Sequence, residues 1–318
     1  MPNLKDVKEA HVRIKDIVNE TSVLTSSTLN QMVSANVFLK CENFQRVGAF
    51  KFRGVSNKLL QLSKEQKKKG VVTHSSGNHA QAVALASTIL GIKSVIVMPE
   101  NAPQVKVDAT KGYGAEIVRC KNNVKAREET CLNLKEKHDY TLVHPYDDDQ
   151  IIAGGGTAAL ELINEVGNLD IMFCPVGGGG LLSGTSIATK GLCPNSKVIA
   201  VEPEKADDAY RSFKDNKLYP SVYPNTVADG LRTSLSERTF KIMQKNVDEI
   251  ITVSEKEIID AMKFLWMRMK IVVEPSGAVP VAGVIKMKKS IINKKIGVII
   301  SGGNVDLDYF FKKYYDQI

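Results

Sequence analysis

The sequence has no long apolar segment and little cysteine. Its apolar runs are short, as at residues 296–300, and none reaches the roughly 20 residues that a membrane-spanning helix needs. Residues 1–16 are charged and contain no apolar stretch, which predicts no secretory signal. The five cysteines are scattered and form no Cys-x-x-Cys pair, which favours free thiols over disulfides or a zinc site. The sequence therefore predicts a soluble, cytoplasmic protein that does not bind membranes.

Aromatic residues are also scarce among the basic residues. The formal net charge is +8, but most lysines are spread along the chain. The densest run, Lys67 to Lys69, follows Ser63 in a segment typical of the solvated end of a surface helix. Single-stranded nucleic acid needs aromatic stacking surfaces between basic groups, and this run has none. We therefore expect no nucleic-acid partner; the positive charge favours anionic small molecules.

Short β-branched runs alternate with helix-like segments along the 318 residues, which are enough for two domains. The predicted strands are residues 71–73, 94–98, 116–119, 171–176, 197–201, 250–253 and 297–300. The predicted helices are residues 80–90, 125–137, 181–190 and 255–269. This alternation predicts an α/β fold with mostly parallel, open sheets flanked by helices.

The central block at residues 63–139 has its own alternation of strands and helices. We interpret it as a small domain inserted into a large domain, which residues 1–62 and 140–318 form. Ligands of open α/β sheets bind beyond the carboxyl ends of the strands. Three predicted strands end in segments rich in glycine and small hydroxyl residues, at 72–79, 175–180 and 300–304. These segments predict one shared binding site.

Four consecutive glycines, at residues 177–180, lie between a predicted strand and a predicted helix. Because such a run costs backbone entropy, we expect a function that requires it. Its amides and the positive end of the next helix suit a phosphate group, although a flexible turn is the simpler alternative. A dinucleotide site would use G-x-G-x-x-G and a later acidic residue, and Glu202 leaves that alternative open. The run predicts a phosphate loop, with a non-catalytic nucleotide-binding protein as the rival interpretation.

Lys51 lies between two phenylalanines, Phe50 and Phe52. Partial desolvation lowers the pKa of an ammonium group and favours formation of an imine. A single lysine on an amphipathic helix, however, is more often a surface residue. Lys51 therefore gains a functional interpretation only in combination with the glycine run.

Four motifs resemble, in order, those of fold-type II pyridoxal-phosphate (PLP) enzymes, which share the architecture of the tryptophan synthase β subunit. They are residues 49–54, 75–82, 177–180 and 301–304. Within this family the chain is most similar to eukaryotic serine racemases and to serine, threonine and 3-hydroxyaspartate dehydratases. The resemblance implies a mobile small domain, interconversion of L- and D-serine, and elimination of serine to pyruvate and ammonia. A threonine or 3-hydroxyaspartate dehydratase without significant racemase activity is the alternative.

The resemblance also implies roles for single residues. Lys51 would form the Schiff base with PLP and act as a base at the substrate α-carbon. Asn78 would hydrogen-bond to the cofactor phenolate, and Ser301 would contact the pyridine nitrogen. The other implied cofactor contacts are Phe50, Gly177, Gly178, Gly179, Gly180, Leu181 and Glu274. The substrate carboxylate would bind at the start of a helix, and the implied contacts are Ser75, Ser76, Gly77, Asn78 and His79.

Ser76 bears on the type of reaction. Racemisation needs a proton donor and acceptor on each face of a planar carbanion, whereas one base is enough for elimination. Lys51 would serve one face, and in serine racemases the residue that matches Ser76 serves the other. Related threonine dehydratases commonly have alanine there, but several hydroxyaspartate dehydratases resemble this stretch. Ser76 therefore permits racemisation, and a serine that only binds the carboxylate is the alternative.

The acidic segment at residues 202–208 offers several oxygen ligands at short spacing. Oxygen ligands suit magnesium, calcium or manganese, although acidic loops are usually only solvated. The resemblance implies that Glu202, the Ala206 carbonyl and Asp208 bind such a divalent cation. The five histidines show no metal-ligand spacing. The resemblance further implies a homodimer with ATP as an effector, but it does not identify the ATP-binding residues.

Overall fold

A computed structural model describes residues 1–102 and 104–307. The strands are β1 (Val23–Leu24), β2 (Asn36–Cys41), β3 (Val71–His74), β4 (Ser94–Pro99), β5 (Glu116–Cys120), β6 (Thr141–Leu142), β7 (Ile171–Pro175), β8 (Lys197–Pro203), β9 (Glu249–Val253) and β10 (Lys295–Ile300). The helices are α1 (Leu4–Ile14), α2 (Ser27–Val33), α3 (Lys51–Leu60), α4 (Lys64–Lys69), α5 (Asn78–Ile89), α6 (Gln104–Gly112), α7 (Val124–His138), α8 (Asp149–Val166), α9 (Gly180–Leu192), α10 (Asp208–Lys214), α11 (Glu237–Asn246), α12 (Glu255–Phe264) and α13 (Pro275–Lys286).

The strands form two sheets, and nearly all neighbours run parallel. The larger sheet has the order β1-β2-β10-β7-β8-β9, in which β1 pairs antiparallel to β2. The smaller sheet has the order β5-β4-β3-β6, with parallel pairing throughout. The predicted α/β fold with mostly parallel sheets is therefore confirmed. The division at residues 63–139 stays a prediction; the smaller sheet also includes β6.

Both faces of the larger sheet pack against helices, which explains why its central strands β7 and β10 are almost continuously apolar rather than alternating. In β7, Phe173 packs into a core with α2, α12 and α13, while Met172 and Cys174 face a core with α8, α9 and α11. In the smaller sheet, Ile96 of β4 faces the α5 side and Val97 faces the α7 side. Helices on both faces leave the strand ends as the place for a ligand.

All seven predicted strands are present, but β2 and the two-residue strands β1 and β6 were not predicted, and one predicted helix changes its geometry. The helix expected at residues 255–269 ends at Phe264 as an α-helix, and Leu265–Met269 continue as a π-helix. Lys270 closes this turn with a φ of 61°, and its backbone N–H donates to the Leu265 carbonyl. A π-turn inserts one residue without changing the apolar character of the segment, so periodicity does not distinguish it. In the described part of the chain, no helix combines the length and apolarity needed to cross a bilayer.

Candidate functional site

Lys51 is the first residue of α3, and its amine is held inside the protein. Its Nζ donates to the Pro145 carbonyl at 2.7 Å and lies 5.1 Å from the centroid of the Phe50 ring. Burial lowers the pKa of Lys51 to about 8. The lowered pKa agrees with the desolvation expected from the flanking phenylalanines, and a neutral amine is the form that can act as a nucleophile or a base.

A buried ionic cluster fixes α3 against α8, just below Lys51. The fully buried Arg53 donates to Glu42 at 2.7 Å (Nε to Oε2) and to Glu161 at 2.6 Å (Nη1 to Oε1). Lys40 of β2, also fully buried, lies 2.7 Å from Oε2 of Glu161. Two cations and two carboxylates thus balance in the interior, where breaking any one pair would leave an uncompensated charge. The cluster gives Lys51 a rigid support.

The lysine motif lies directly beside the serine motif at the end of β10. The backbone N–H of Phe50 donates to the Ser301 carbonyl at 3.0 Å, and the N–H of Gly303 donates to the Gly48 carbonyl at 2.9 Å. Gly48 has a φ of +68°, and a Cβ there would lie 2.6 Å from Oδ1 of Asn304. Glycine is therefore required at this turn, and Ser301 itself is buried.

The glycine run joins β7 to α9 and is closely covered by other residues. Gly179 precedes α9 with a φ of +83°. A Cβ on Gly178 would lie 2.4 Å from the Tyr146 ring, and one on Gly177 would lie 2.9 Å from Cα of Leu231. No side chain fits there, so the loop can offer only its backbone and the positive end of α9. This arrangement is compatible with a phosphate group, and the phosphate loop stays a prediction.

Asn78, the first residue of α5, contacts Glu274 across the site. Its Nδ2 donates to Oε1 of Glu274 at 2.9 Å, while the backbone N–H of Asn304 donates to Oε2 at 3.1 Å. Burial raises the pKa of Glu274 to about 8, because the carboxylate form is poorly solvated there. Three segments far apart in the sequence therefore meet at this carboxyl group.

The segment before α5 leaves the positive end of that helix accessible. Gly77 is the N-cap residue, and no side chain caps the helix. Ser75 Oγ instead accepts from the Gly77 N–H at 3.2 Å, and Ser76 is half-buried. His79 lies 3.0 Å (Nε2) from the Val143 carbonyl, and burial keeps its pKa well below the usual value. His79 is therefore neutral, and the amides in the first turn of α5, which no side chain caps, suit a carboxylate.

Glu202 and Asp208 form a pair of buried carboxyl groups near the end of β8. Glu202 accepts from the N–H groups of Ala209 at 2.9 Å and Tyr210 at 2.7 Å. Burial, then the Asp208 charge, raises the pKa of Glu202 well above its usual value, and burial raises that of Asp208 to about 6. Neither Asp208 oxygen makes a hydrogen bond of ordinary geometry in the described part of the chain, although Ser221 and the Leu235 backbone lie near enough to lower its pKa. Across residues 1–102 and 104–307, no metal-binding group of three His, Cys, Asp or Glu exists, so a cation here would need carbonyl ligands.

Comparison with known proteins identifies the family. Residues 14–302 match the model of the pyridoxal-phosphate dependent enzymes. The chain belongs to this family. It is 50% identical to a serine racemase of Dictyostelium discoideum over 97% of each chain. It is 49% identical to an L-threo-3-hydroxyaspartate ammonia-lyase of Saccharomyces cerevisiae, covering 96% of this chain and 94% of the relative. The structure of maize serine racemase superimposes with a TM-score of 0.96 at 41% identity, covering 99% and 97% of the two chains.

Three residues of this PLP-dependent enzyme's site were missed from the sequence. Pro145 accepts from Lys51, Tyr146 packs on Gly178, and Asn304 contacts Asn78. Asn304 belongs to a motif at residues 301–304 that was recognised, so a signal for it existed. Pro145 and Tyr146 precede α8 in a stretch without a recognised motif, and only the folded chain brings them to the lysine and the glycine loop.

Gly178→Ala tests whether the enzyme depends on the tight glycine loop for PLP. The new Cβ would lie 2.4 Å from the Tyr146 ring, so loop or ring must move. Overpacking of this kind costs about 1–3 kcal/mol, so we expect PLP affinity to fall about tenfold. Fluorescence titration of the apoprotein with PLP measures this. Gly155→Ala is the control, because its Cβ would have its nearest neighbour, Leu181 Cα, at 3.9 Å. Wild-type affinity in Gly178→Ala would contradict the assignment.

Proposed function

We propose that this PLP-dependent enzyme interconverts L- and D-serine and also eliminates serine to pyruvate and ammonia. The observation that carries the proposal is that two acid–base candidates stand at the starts of two helices that pack against each other. Lys51 begins α3, Ser76 lies just before α5, and the two helices pack against each other. Two such groups suit proton transfer on the two faces of a planar carbon. The similarity to the serine racemase of Dictyostelium discoideum supports the same proposed activity.

The residues of the site fit PLP. Lys51 would hold it covalently, the amides of residues 177–180 would bind its phosphate, Asn78 would donate to its phenolate oxygen, and Ser301 would contact its ring nitrogen. Other proposed contacts are Phe50, Leu181 and Glu274. When bound, PLP supplies an electron sink for the negative charge that develops at the substrate α-carbon. The close packing of other residues against the glycine loop supports this proposal. It leaves no room for side chains, so only backbone amides can bind an anion there.

In the proposed reaction, Lys51 Nζ, released when the substrate amine takes its place, removes the α-proton. Its pKa, lowered to about 8 by burial, makes the neutral amine accessible near physiological pH. The substrate carboxylate binds at the uncapped start of α5, contacted by residues 75–79. Ser76 Oγ exchanges a proton on the opposite face, which yields the enantiomer. Departure of the β-hydroxyl as water, followed by hydrolysis of the resulting imine of pyruvate by another water molecule, instead yields pyruvate and ammonia.

A dehydratase specific for 3-hydroxyaspartate is the second candidate, since a relative of 49% identity bears the name L-threo-3-hydroxyaspartate ammonia-lyase. Saturation kinetics with L-serine, L-threonine and 3-hydroxyaspartate separate the candidates. We expect the highest kcat/KM with serine. A higher kcat/KM with 3-hydroxyaspartate, and no D-serine formed, would replace our proposal by the second candidate. The match to the family of pyridoxal-phosphate dependent enzymes makes a non-catalytic nucleotide-binding protein unnecessary as an explanation of the glycine run.

We infer that Glu202, the Ala206 carbonyl and Asp208 hold a divalent cation, with magnesium, calcium or manganese as the candidates. The support is the pair of buried carboxyl groups, since neither oxygen of Asp208 makes a hydrogen bond of ordinary geometry with the residues that the structure describes. Two such groups are poorly solvated and repel each other, and a hard cation offsets both effects. The cation would stabilise the connection from β8 to α10.

Asp208→Asn tests the cation site. In the wild-type protein with EDTA, the free energy of unfolding is expected to fall as pH rises through about 6, because the folded Asp208 binds its proton more tightly than the unfolded chain does. Magnesium at about 100 times its Kd should restore about 2.7 kcal/mol above that pH. Asp208→Asn should be insensitive to EDTA and magnesium. Asp207→Asn is the control, since Asp207 pairs with Arg211 at 2.9 Å. A full magnesium response in Asp208→Asn would contradict the site.

We also infer that the protein is a cytoplasmic homodimer with ATP as an effector. The five cysteines are buried and unpaired, which suits a reducing compartment. Dimerisation and ATP rest on the similarity to serine racemases alone. Light scattering of the purified protein, and kinetics with and without ATP, test the two inferences separately.

A further inference from the structure

Asn304 lies in the turn after β10, and its side chain bridges distant segments. Its Nδ2 donates to the Val47 carbonyl at 2.6 Å and to Oδ1 of Asn78 at 2.9 Å. Its backbone N–H donates to Glu274. The side chain is also confined by Gly48, where any Cβ would lie 2.6 Å from Asn304 Oδ1. An asparagine in a glycine-rich turn usually caps its own backbone; this one contacts three other parts of the chain.

The direction of these hydrogen bonds follows from the groups involved. A backbone carbonyl can only accept, so the group of Asn304 that faces Val47 must be its NH2. The same NH2 faces Asn78, so Asn78 must present its oxygen there. The NH2 of Asn78 then faces Glu274, as the 2.9 Å contact to Oε1 shows. Because the Val47 carbonyl can only accept, it determines through Asn304 which end of the Asn78 amide is the oxygen and which is the NH2.

Glu274 alone cannot impose this orientation. Burial raises its pKa to about 8, so its carboxyl group is largely protonated at neutral pH and can donate as well as accept. An Asn78 amide rotated by half a turn would still find a partner in Glu274. The same rotation would place the two NH2 groups of Asn78 and Asn304 against each other. Asn304 is therefore the neighbour that distinguishes the two orientations.

We propose that Asn304 is a positioning residue that fixes the amide orientation of Asn78, using the Val47 carbonyl as its reference. In this orientation one N–H of Asn78 donates to Glu274, and the second remains for an acceptor oxygen of the cofactor. Val47 belongs to the turn that leads into Lys51, so the same turn orients both proposed cofactor contacts. The inference rests on the proposed role of Asn78 at PLP.

The test compares PLP-loaded Asn304→Asp with Asn78→Ala. Aspartate can only accept, so it opposes the Val47 carbonyl and favours the rotated Asn78 amide. We expect the ratio of the two absorbance bands of bound PLP, and its pH dependence, to move toward those of Asn78→Ala. The PLP dissociation constant should rise roughly tenfold, the loss of one hydrogen bond to a charged group. Asn43→Ala is the matched control, since Asn43 donates to Val272 at 3.1 Å beside the same turn.

Two further variants separate orientation from general weakening. Asn304→Ser can still donate and should retain a band ratio closer to wild type than Asn304→Ala. Because Asn304 acts through Asn78, adding Asn304→Asp to Asn78→Ala should change neither band ratio nor affinity further. A wild-type spectrum in both Asn304→Asp and Asn304→Ala, or additive effects in the double variant, would overturn the proposal. An unchanged spectrum in Asn78→Ala would overturn the role of Asn78 at PLP and the inference with it.

Discussion

Lys51→Ala is expected to lower racemisation and elimination together by at least roughly a thousandfold. Both reactions lose the group that removes the α-proton, and acid–base catalysis by one residue contributes roughly 10²- to 10⁴-fold. The variant also loses covalent attachment of PLP. Initial rates of D-serine and pyruvate formation measure the loss. Lys58→Ala is the matched control on the same helix, because Lys58 is bound to Asp148 at 2.7 Å, away from the site lysine.

The cofactor spectrum gives a second readout of this substitution. If PLP is attached through Lys51, the absorbance band of bound PLP must change position in Lys51→Ala. A band at the wild-type position would contradict the attachment of PLP to Lys51. The rate at which the wild-type apoprotein captures PLP should rise with pH to a midpoint near 8, because burial lowers the pKa of Lys51 to about 8. A midpoint near that of an ordinary lysine would contradict a buried reactive amine.

Ser76→Ala is expected to separate the two reactions. Racemisation should fall by roughly 10²- to 10⁴-fold, because the second face of the carbanion loses its proton donor. Elimination uses only the lysine face and should change no more than a few-fold. Ser75→Ala provides the comparison: if Ser75 only binds the carboxylate, both reactions should fall in parallel. Equal losses of both reactions in Ser76→Ala would assign Ser76 to carboxylate binding as well.

The positions of seven strands, the lysine and the glycine loop could be predicted because their signals are local. β-branched runs mark the buried strands, and four glycines before a helix mark a site that excludes side chains. Strand β2 was missed because Lys40 interrupts its apolar run. That charge is acceptable only because Glu161 lies 2.7 Å away across the interior. No local pattern reports such a partner.

The remaining parts of the site depend on contacts between distant residues. Tyr146 packs against the glycine loop. The side chain of Asn304 donates a hydrogen bond to that of Asn78, although 226 positions separate the two asparagines. The acidic segment was visible in the sequence, but the burial of Glu202 and Asp208, on which the proposed cation site rests, was not. The π-helix at Leu265–Met269 likewise differs from an α-helix only in its hydrogen bonds.

Chiral chromatography of L-serine, after incubation with the PLP-loaded protein and magnesium, distinguishes a racemase from a pure dehydratase. Pyruvate is followed in the same reaction. We expect both D-serine and pyruvate to accumulate, because the carbanion formed by Lys51 is partitioned between protonation on the Ser76 face and loss of the β-hydroxyl. Pyruvate without D-serine would contradict proton transfer on two faces and make the protein a dehydratase.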